Sequence, residues 1–263
     1  MKLGICVGLD KAAVAAEIGF EYLESNLGQI KKSEVSYLRE LRKAVDNFGV
    51  KFEATNCFFP GDIHIVGDSA SLDEIREYTC RAFDNAKILG VETCVLGSGR
   101  SREIPDGYDR EKGYAQALDA LRVIGEEAKQ RDIRVAIEPL NHKETNVFNT
   151  VRESTDVCRT LGLDTVCVLA DIYHMVMEDE DYSALAYAGD KLIHVHLSNP
   201  LGLGDTGTAK RIYPAEGDGY DYAPFIDGLK AANYDGRISL EAGCNCFEED
   251  AAKGLAMMKK LFR

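Results

Sequence analysis

Residues 166–199, VCVLADIYHMVMEDEDYSALAYAGDKLIHVHLSN, contain one complete strand–helix–strand unit. The apolar runs at residues 166–171 and 192–197 have the length of buried strands, and residues 182–188 between them have the amphipathic spacing of a short helix. Two consecutive parallel strands need a crossover of this kind. The stretch therefore predicts a βαβ unit in a parallel sheet.

The same alternation continues along the whole chain. Eight strands are predicted, at residues 3–7, 20–25, 51–56, 93–96, 134–140, 166–171, 192–197 and 237–241. A helix is predicted after each strand, at residues 12–18, 33–48, 71–89, 110–130, 151–161, 182–188, 222–233 and 250–261. Eight alternating units are the number that closes a barrel, so we predict the α/β class and a single (β/α)8 TIM barrel, with residues 1–263 as one domain. An open doubly wound sheet is the alternative, but the first strand lacks the Gly-rich phosphate loop that usually follows it there.

Several predicted helices carry recognisable end signals. Ser33 and Ser71 precede helices as capping residues. Gly49, Gly90 and Gly162 lie between a helix and the next strand, where a left-handed residue ends a helix.

Composition limits the classes of partner and the cellular setting. The formal charge is −13, from 31 basic and 44 acidic residues, and it disfavours binding to a nucleic-acid backbone. The apolar runs are strand-sized and stay well short of about 18 residues, so we expect neither a membrane span nor a signal peptide. Eight cysteines without a CxxC motif predict free thiols in a cytoplasmic protein. Cys244 and Cys246 are the closest pair, but no second pair completes a metal site.

Acids and an imidazole interrupt the apolar runs at the ends of the last four predicted strands. They are Glu138, Asp171, His196 and Glu241. The carboxyl ends of barrel strands share one rim, so these side chains are expected to meet there. Three carboxylates in an apolar setting repel one another unless a cation neutralises them. The set therefore predicts one divalent metal ion, and we expect Mn²⁺, with Mg²⁺, Co²⁺ or Zn²⁺ as alternatives.

Each of these residues, taken alone, has a structural explanation as a helix cap or a solvated loop anchor. The repeated placement on four consecutive strands favours a shared site. His194 lies two residues before His196 on the same strand face, and we predict a core or supporting role for it rather than metal ligation. His64 and His142 lie in predicted loops, where solvent exposure and contact with substrate are both open.

The segments around these residues resemble a known family. IEPLNHKETNVFNT, ADIYHM, HVHLSN, RIYPAEGDGYDY and LEAG are similar to motifs of the xylose isomerase-like barrel superfamily. The similarity is closest to its branch of sugar-phosphate isomerases and D-tagatose 3-epimerase-like ketose 3-epimerases. The resemblance implies metal ligation by the same four residues, Glu138, Asp171, His196 and Glu241. It also implies substrate binding by Glu144, His174 and Arg211.

The sequence departs from the family pattern at two points. Residues 199–210, NPLGLGDTGTAK, place Arg211 fifteen residues (211 − 196) after His196, which is longer than the usual spacing. The chain also has no Trp, although members of the family often line the sugar pocket with one. The identity of the sugar therefore stays open.

This set of residues suits proton transfer beside a carbonyl group. We expect a metal-dependent sugar or sugar-phosphate epimerase or isomerase that acts through an enediolate, with Glu138 and Glu241 as the catalytic pair. One alternative is a metal-dependent sugar or cyclitol dehydratase on the same fold, and a more remote one is a non-catalytic sugar-binding protein. A three-zinc DNA-repair endonuclease is disfavoured by the acidic charge and by only five histidines.

Two further properties stay open at this level. A phosphate group on the substrate would find Arg211, Lys210 and the segment GSGRSR at residues 97–102, but a solvated basic loop explains the same residues. The oligomeric state is equally open, with a homo-oligomer among the options.

Overall fold

Strands and helices alternate along the chain as the sequence predicts. The structure, a computed structural model, describes residues 1–201 and 211–263. Its eight strands are Lys2–Cys6 (β1), Tyr22–Asn26 (β2), Lys51–Asn56 (β3), Thr93–Leu96 (β4), Arg134–Ile137 (β5), Val166–Asp171 (β6), Leu192–Leu197 (β7) and Arg237–Leu240 (β8). The α-helices of the described ranges are Ala12–Ile18 (α1), Leu27–Lys32 (α2), Val35–Asp46 (α3), Leu72–Leu89 (α4), Gly99–Arg102 (α5), Arg110–Gln130 (α6), Val151–Leu161 (α7), Ile172–Met177 (α8), Ser183–Ala188 (α9), Ala223–Ala231 (α10) and Phe247–Phe262 (α11).

The strands form one closed parallel barrel. Each strand pairs with its neighbour in chain order, and β1 pairs in parallel with β8 from Lys2 opposite Arg237 to Ile5 opposite Leu240. This confirms the predicted (β/α)8 barrel and rules out the open sheet. All eight strands therefore end at the same rim, which places the predicted site residues together.

Some predicted strand limits are wrong by a few residues. The fifth strand was expected to reach residue 140, but β5 ends at Ile137. Pro139 follows closely and has no N–H to donate to a neighbouring strand, so the ladder stops there. The second strand begins at Tyr22 rather than residue 20. Glu241 is the first residue beyond β8.

The helix signals were correct at Ser71, Gly90 and Gly162 but wrong at Ser33 and Gly49. Gly49 is left-handed, but it lies three residues beyond Asp46, where α3 ends with Asn47 as its C-cap. The hydroxyl of Ser71 accepts a hydrogen bond from the backbone N–H of Glu74 and caps α4. Gly90 and Gly162 end α4 and α7 in the left-handed conformation. Ser33 instead ends the short helix α2, and α3 begins two residues later. The sequence pattern also missed the short helices α2, α5 and α8.

The inner face of the barrel changes from apolar to polar toward its rim. On β5 and β6, Val135 and Val168 belong to the main core, and the alternate positions Ala136 and Leu169 form a separate apolar cluster. Continuing this alternation by two residues brings Glu138 and Asp171 onto the face of that second cluster. Glu138 and Asp171 therefore lie at the rim, next to the apolar cluster inside the barrel.

The described chain contains no helix with the length and apolar character needed to cross a membrane. All eight cysteines are free, and Cys94, Cys158 and Cys167 are buried. The closest pair in sequence, Cys244 and Cys246, is exposed and unbonded.

Candidate active site

Strand pairing brings the predicted ligands to one place on the rim. Asp171, the last residue of β6, lies opposite His196 of β7 in the sheet register. The backbone N–H of Glu138 donates to the carbonyl of Leu96, and that of Glu241 donates to the carbonyl of Leu197, each at 3.1 Å. Both glutamates therefore continue the strand ladders by one residue.

The three carboxylates converge on Nδ1 of His196. This atom lies 3.0 Å from Oε1 of Glu138 and 3.0 Å from Oε2 of Glu241, and 4.0 Å from Oδ2 of Asp171. One donor atom from each of the four residues lies within 4.8 Å of the others. His196 and Asp171 are almost completely buried, and Glu241 is the most exposed of the four. The structure thus brings together every residue predicted to bind the metal.

The donor set fits a hard divalent cation. Three carboxylates and one imidazole offer oxygen and nitrogen ligands of the kind that Mn²⁺ and Mg²⁺ take. Oε1 of Glu241 accepts a hydrogen bond from Nδ2 of Asn56 at 3.0 Å. Oε2 is buried and accepts no hydrogen bond from the described residues. That oxygen is held toward the cluster, so the arrangement is suited to coordination.

The electrostatics of the cluster are strongly coupled. Burial raises the pKa of Asp171 to about 7, against the opposing charge of Arg211. Burial also disfavours ionisation of Glu241, but the charges of Arg211 and His196 outweigh it and hold that pKa well below its usual value. For His196, burial acts against protonation, yet Glu241 and the second glutamate Glu24 raise its pKa well above the ordinary range. Carboxylates packed this closely need positive charge from their surroundings.

Arg211 supplies part of that positive charge. Its Nη1 lies 2.5 Å from Oδ2 of Asp171 and 2.9 Å from Oε2 of Glu241. The guanidinium also lies over the ring of Tyr173, with 5.3 Å from Cζ to the ring centroid. Arg211 therefore reaches the cluster, although its separation from His196 in the sequence is longer than the usual family spacing.

His174 is a buried, neutral histidine beside the cluster. Asp171 ends β6 and caps α8, which brings His174 back toward it within one turn. The backbone N–H of Asn141 donates to Nδ1 of His174 at 3.1 Å, so the ring proton is on Nε2. Burial lowers the pKa of His174 to about 3. Nε2 has no hydrogen-bond partner among the described residues and lies 3.8 Å from Oδ2 of Asp171.

Glu144 lies farther out, at the edge of a cavity. Its Oε1 accepts a hydrogen bond from Nδ2 of Asn141 at 2.9 Å, and its side chain is 45% exposed. The cavity has a volume of about 730 Å³, and its lining includes Glu144, Tyr173, Arg211, Asn245, Asp250 and Lys253. Two of the three residues predicted to bind substrate therefore line a space large enough for a sugar.

The family model described as xylose isomerase-like TIM barrel matches residues 12–261. The chain belongs to this family. Among its relatives is D-psicose 3-epimerase of Enterocloster bolteae, 29% identical over 160 residues, which are 59% of this chain and 50% of that protein. L-ribulose 3-epimerase of Methylomonas sp. is 25% identical over 234 residues, 88% of this chain and 76% of that protein.

The likeness extends to solved structures. A crystal structure of D-psicose 3-epimerase in the presence of D-fructose superimposes with a TM-score of 0.86 over 99% of both chains, at 20% identity. At 20% identity, this structural similarity is evidence for a shared fold. The chain spans about half the length of the Enterocloster protein that it matches.

Three site residues of this xylose isomerase-like barrel were missed from sequence. Asn56 ends β3 and Gly97 follows β4, so the strand-end rule used for the acids also points to them. Glu24 is a fully buried acid inside β2, a charge interrupting a strand. A Cβ built on Gly97 would lie 2.2 Å from Oε2 of Glu138. Any larger residue at this position would therefore displace the Glu138 carboxylate.

The remaining histidines of this barrel have supporting or peripheral positions. His194 is buried, and its Nε2–H donates a 2.6 Å hydrogen bond to Oε2 of Glu24, in agreement with the supporting role predicted for it. His142 is exposed and pairs through Nδ1 with Glu178. His64 is half-buried in the loop after β3.

The basic segment 97–102 ends in the short helix α5, in which Arg100 is exposed and Arg102 is buried, so the solvated loop that the sequence allowed is found only in part. Arg102 has no exposed surface, and its guanidinium donates to the backbone carbonyls of Leu96 and Glu138. Burial lowers the pKa of Arg102 to about 10. Its charge is directed into the protein, so it is not placed for a phosphate group in the cavity. Lys210, the other basic candidate, lies outside the described residues.

Proposed function

We propose that this protein is a divalent-metal-dependent sugar epimerase or isomerase with a ketose as its substrate. The observation that carries the proposal is the pair of carboxylates, Glu138 and Glu241, each 3.0 Å from the same imidazole nitrogen of His196. Two carboxylates around one point can remove a proton and return one. The names of the relatives, which are ketose 3-epimerases, support the same chemistry.

Glu138, Asp171, His196 and Glu241 would hold the divalent ion, and we expect Mn²⁺ there. Bound at this cluster, the ion supplies Lewis-acid stabilisation of negative charge on substrate oxygens. The set of three carboxylate oxygens and one imidazole nitrogen suits Mn²⁺, Mg²⁺ or Co²⁺, whereas Zn²⁺ usually takes more nitrogen or sulfur ligands.

The two glutamates carry the proton transfers. One takes the proton from the carbon next to the ketose carbonyl, and the electron pair of that C–H bond forms the enediolate. The other glutamate gives a proton to the opposite face of the same carbon, which inverts its configuration. Return of the proton to the neighbouring carbon gives aldose–ketose isomerisation instead.

The predicted substrate residues surround this pair. Nε2–H of His174 is a buried donor without a hydrogen-bond partner in residues 1–201 and 211–263, and we assign it to a substrate oxygen. A neutral imidazole can donate in this way without adding charge to the site. Arg211 would neutralise the developing oxyanion, and Glu144 at the cavity edge would accept from a substrate hydroxyl.

We further propose that the substrate is a free sugar rather than a phosphate ester. In barrels of this kind, phosphate often binds near the loops after the last two strands, at a helix N-terminus. Here Oδ2 of Asp250 already accepts from the backbone N–H groups of Asn245 and Cys246 at that position. The first turn of α11 also carries Glu248 and Glu249, and these charges would repel a phosphate.

We also make proposals about the domain organisation, the localisation and the partners of the protein. We propose that residues 1–263 form one domain and that the protein is cytoplasmic, as its eight free cysteines suggest. No nucleic acid or membrane partner is expected from the acidic charge. A homo-oligomer stays a prediction.

The test is incubation of the Mn²⁺-loaded protein with a panel of free ketoses and their phosphate esters in D₂O, followed by NMR. Deuterium at C3 with inverted configuration identifies an epimerase, and deuterium at C1 or C2 identifies an isomerase. Loss of water would instead identify a dehydratase. Absence of any exchange from the whole panel would contradict the proposal, and a clear preference for esters would contradict the choice of free sugars.

A further inference from the structure

Glu24 of β2 is a carboxylate with no exposed surface inside the barrel. Its Oε2 lies 2.6 Å from Nε2 of His194 and 2.6 Å from Oγ of Ser239, and its Oε1 lies 3.0 Å from Nε2 of His196. An ionised carboxylate only accepts hydrogen bonds, so all three of these atoms act as donors. The burial is tolerable because both oxygens are satisfied.

Glu24 and the metal cluster contact opposite nitrogens of the same imidazole. Nδ1 of His196 faces Glu138 and Glu241, whereas Nε2 faces Glu24. A carboxylate at Nε2 retains the proton there and leaves the lone pair of Nδ1 for a cation. We infer that Glu24 is a positioning residue, which fixes the orientation and the Nε2–H tautomer of His196 so that Nδ1 binds the ion. The inference rests on the ligand set of the proposed function.

The rest of the network fixes Glu24 itself. The hydroxyl of Tyr22 lies 2.7 Å from Oγ of Ser239, which can accept from Tyr22 while donating to Glu24. His194 and Ser239 both donate to Oε2 of Glu24, whereas Oε1 accepts from His196. Rotation of the carboxylate would break all three hydrogen bonds at once.

A second metal site is the rival explanation for these residues. Cys6, Glu24 and His196 also offer donor atoms within 4.8 Å of one another. However, Sγ of Cys6 is 3.9 Å from Nε2 of His196, and both oxygens of Glu24 already accept hydrogen bonds. A metal-binding cysteine must be a thiolate, and burial raises the pKa of Cys6 well above its ordinary value. The hydrogen-bonded arrangement accounts for the geometry without a second ion.

Glu24→Gln is the decisive variant, because glutamine keeps the shape of the side chain but its amide group must face one of the three donors. We expect the Kd for Mn²⁺, measured by the EPR signal of free Mn²⁺, to rise roughly 10- to 100-fold. Glu53→Gln is the matched control, a buried glutamate at the opposite end of the barrel that pairs with Lys2 and Arg237. It should lower the melting temperature and leave that Kd unchanged. In the Mg²⁺-loaded wild type, ¹⁵N NMR should show His196 protonated at Nε2.

The outcomes separate this inference from the proposed function. A wild type that binds no Mn²⁺ contradicts the ligand set and everything resting on it. A wild type that binds Mn²⁺, together with a folded Glu24→Gln variant of equal Kd, overturns the role of Glu24 alone. Should Glu24→Gln not fold, Glu24→Asp carries the same test, since its shorter carboxylate cannot reach both histidines. Binding of a second equivalent of Zn²⁺ that depends on Cys6 would favour the rival explanation and overturn the inference.

Discussion

The guanidinium of Arg102 holds the backbone at Glu138: its Nη2 donates a 2.6 Å hydrogen bond to the carbonyl oxygen of that residue. Its Nη1 donates to the carbonyl of Leu96 at 3.1 Å, so one buried side chain connects the ends of β4 and β5. Pro139 prevents β5 from continuing as a ladder, and Arg102 supplies an alternative anchor just where the strand stops.

Replacement of Arg102 by Met should therefore destabilise the protein. The carbonyl of Glu138 would lose this donor, and the carbonyl of Leu96 would keep only the backbone N–H of Glu138. We expect a loss of roughly 2–4 kcal/mol in the free energy of unfolding, partly offset by removal of a buried charge. Urea denaturation measures this quantity. The control is Arg100→Met, an exposed neighbour on the same short helix, which should change it by less than about 0.5 kcal/mol. Equal stabilities of the two variants would contradict the anchoring role.

Gly97→Ala tests the space that the Glu138 carboxylate requires. The added Cβ would lie 2.2 Å from Oε2 of Glu138, and the flexible end of that side chain can move away at little cost to folding. Displacement of a catalytic group by about 1 Å lowers turnover by roughly 10²-fold, so we expect a folded protein with that loss in kcat.

Gly61→Ala is the control for this substitution. The nearest heavy atom to a Cβ at Gly61 is Cδ of Arg100 at 4.0 Å, so the methyl group fits without displacement. Turnover close to that of the wild type is expected for it. If Gly97→Ala also retained full turnover, the position of the Glu138 carboxylate would not matter for the reaction.

The metal site predicts a specific effect of Asp171→Asn. A ligand at 100 times its Kd stabilises a folded protein by about 2.7 kcal/mol, so Mn²⁺ should raise the melting temperature of the wild type. Asparagine keeps an oxygen for the backbone N–H of Tyr173 but loses the charge that faces the cluster. We expect the rise caused by Mn²⁺ to shrink strongly in this variant.

Differential scanning calorimetry with Mn²⁺ and with a chelator gives the two melting temperatures. Asp164→Asn, an exposed position just before β6, is the control and should keep the full rise. An unchanged rise in Asp171→Asn would remove this residue from the ligand set.

The main residues of the site could be predicted from the sequence at the end of each strand, taken one strand at a time. Glu138, Asp171 and Glu241 are charges directly after apolar runs, and the barrel topology alone brings such positions to one rim. Local sequence determines which residues end each strand, so no long-range contact had to be known. The same rule applied to β3 would have included Asn56.

Other residues could not be identified this way because their roles depend on distant partners. Arg102 appears basic and solvated in sequence, and only its contacts with the backbone of β4 and β5 explain its burial. The carboxylate of Glu24 is neutralised by His194 and His196, which lie 170 and 172 residues farther along the chain. A pattern of apolar and polar residues carries no information about such pairings.

The two-base mechanism makes the last prediction, for Glu138→Gln and Glu241→Gln. Inversion at one carbon needs a base on one face and an acid on the other, so each variant should lose roughly 10²-fold or more in epimerisation rate. Glutamine keeps an oxygen near Nδ1 of His196, and Mn²⁺ occupancy is checked by metal analysis before the rates are compared. Each variant should still exchange substrate hydrogen with D₂O through the carboxylate that it retains. Glu126→Gln, on the exposed side of α6, is the control and should have the wild-type rate. Wild-type epimerisation by either metal-loaded variant would reduce the two glutamates to ligands and would require a proton carrier elsewhere in the site.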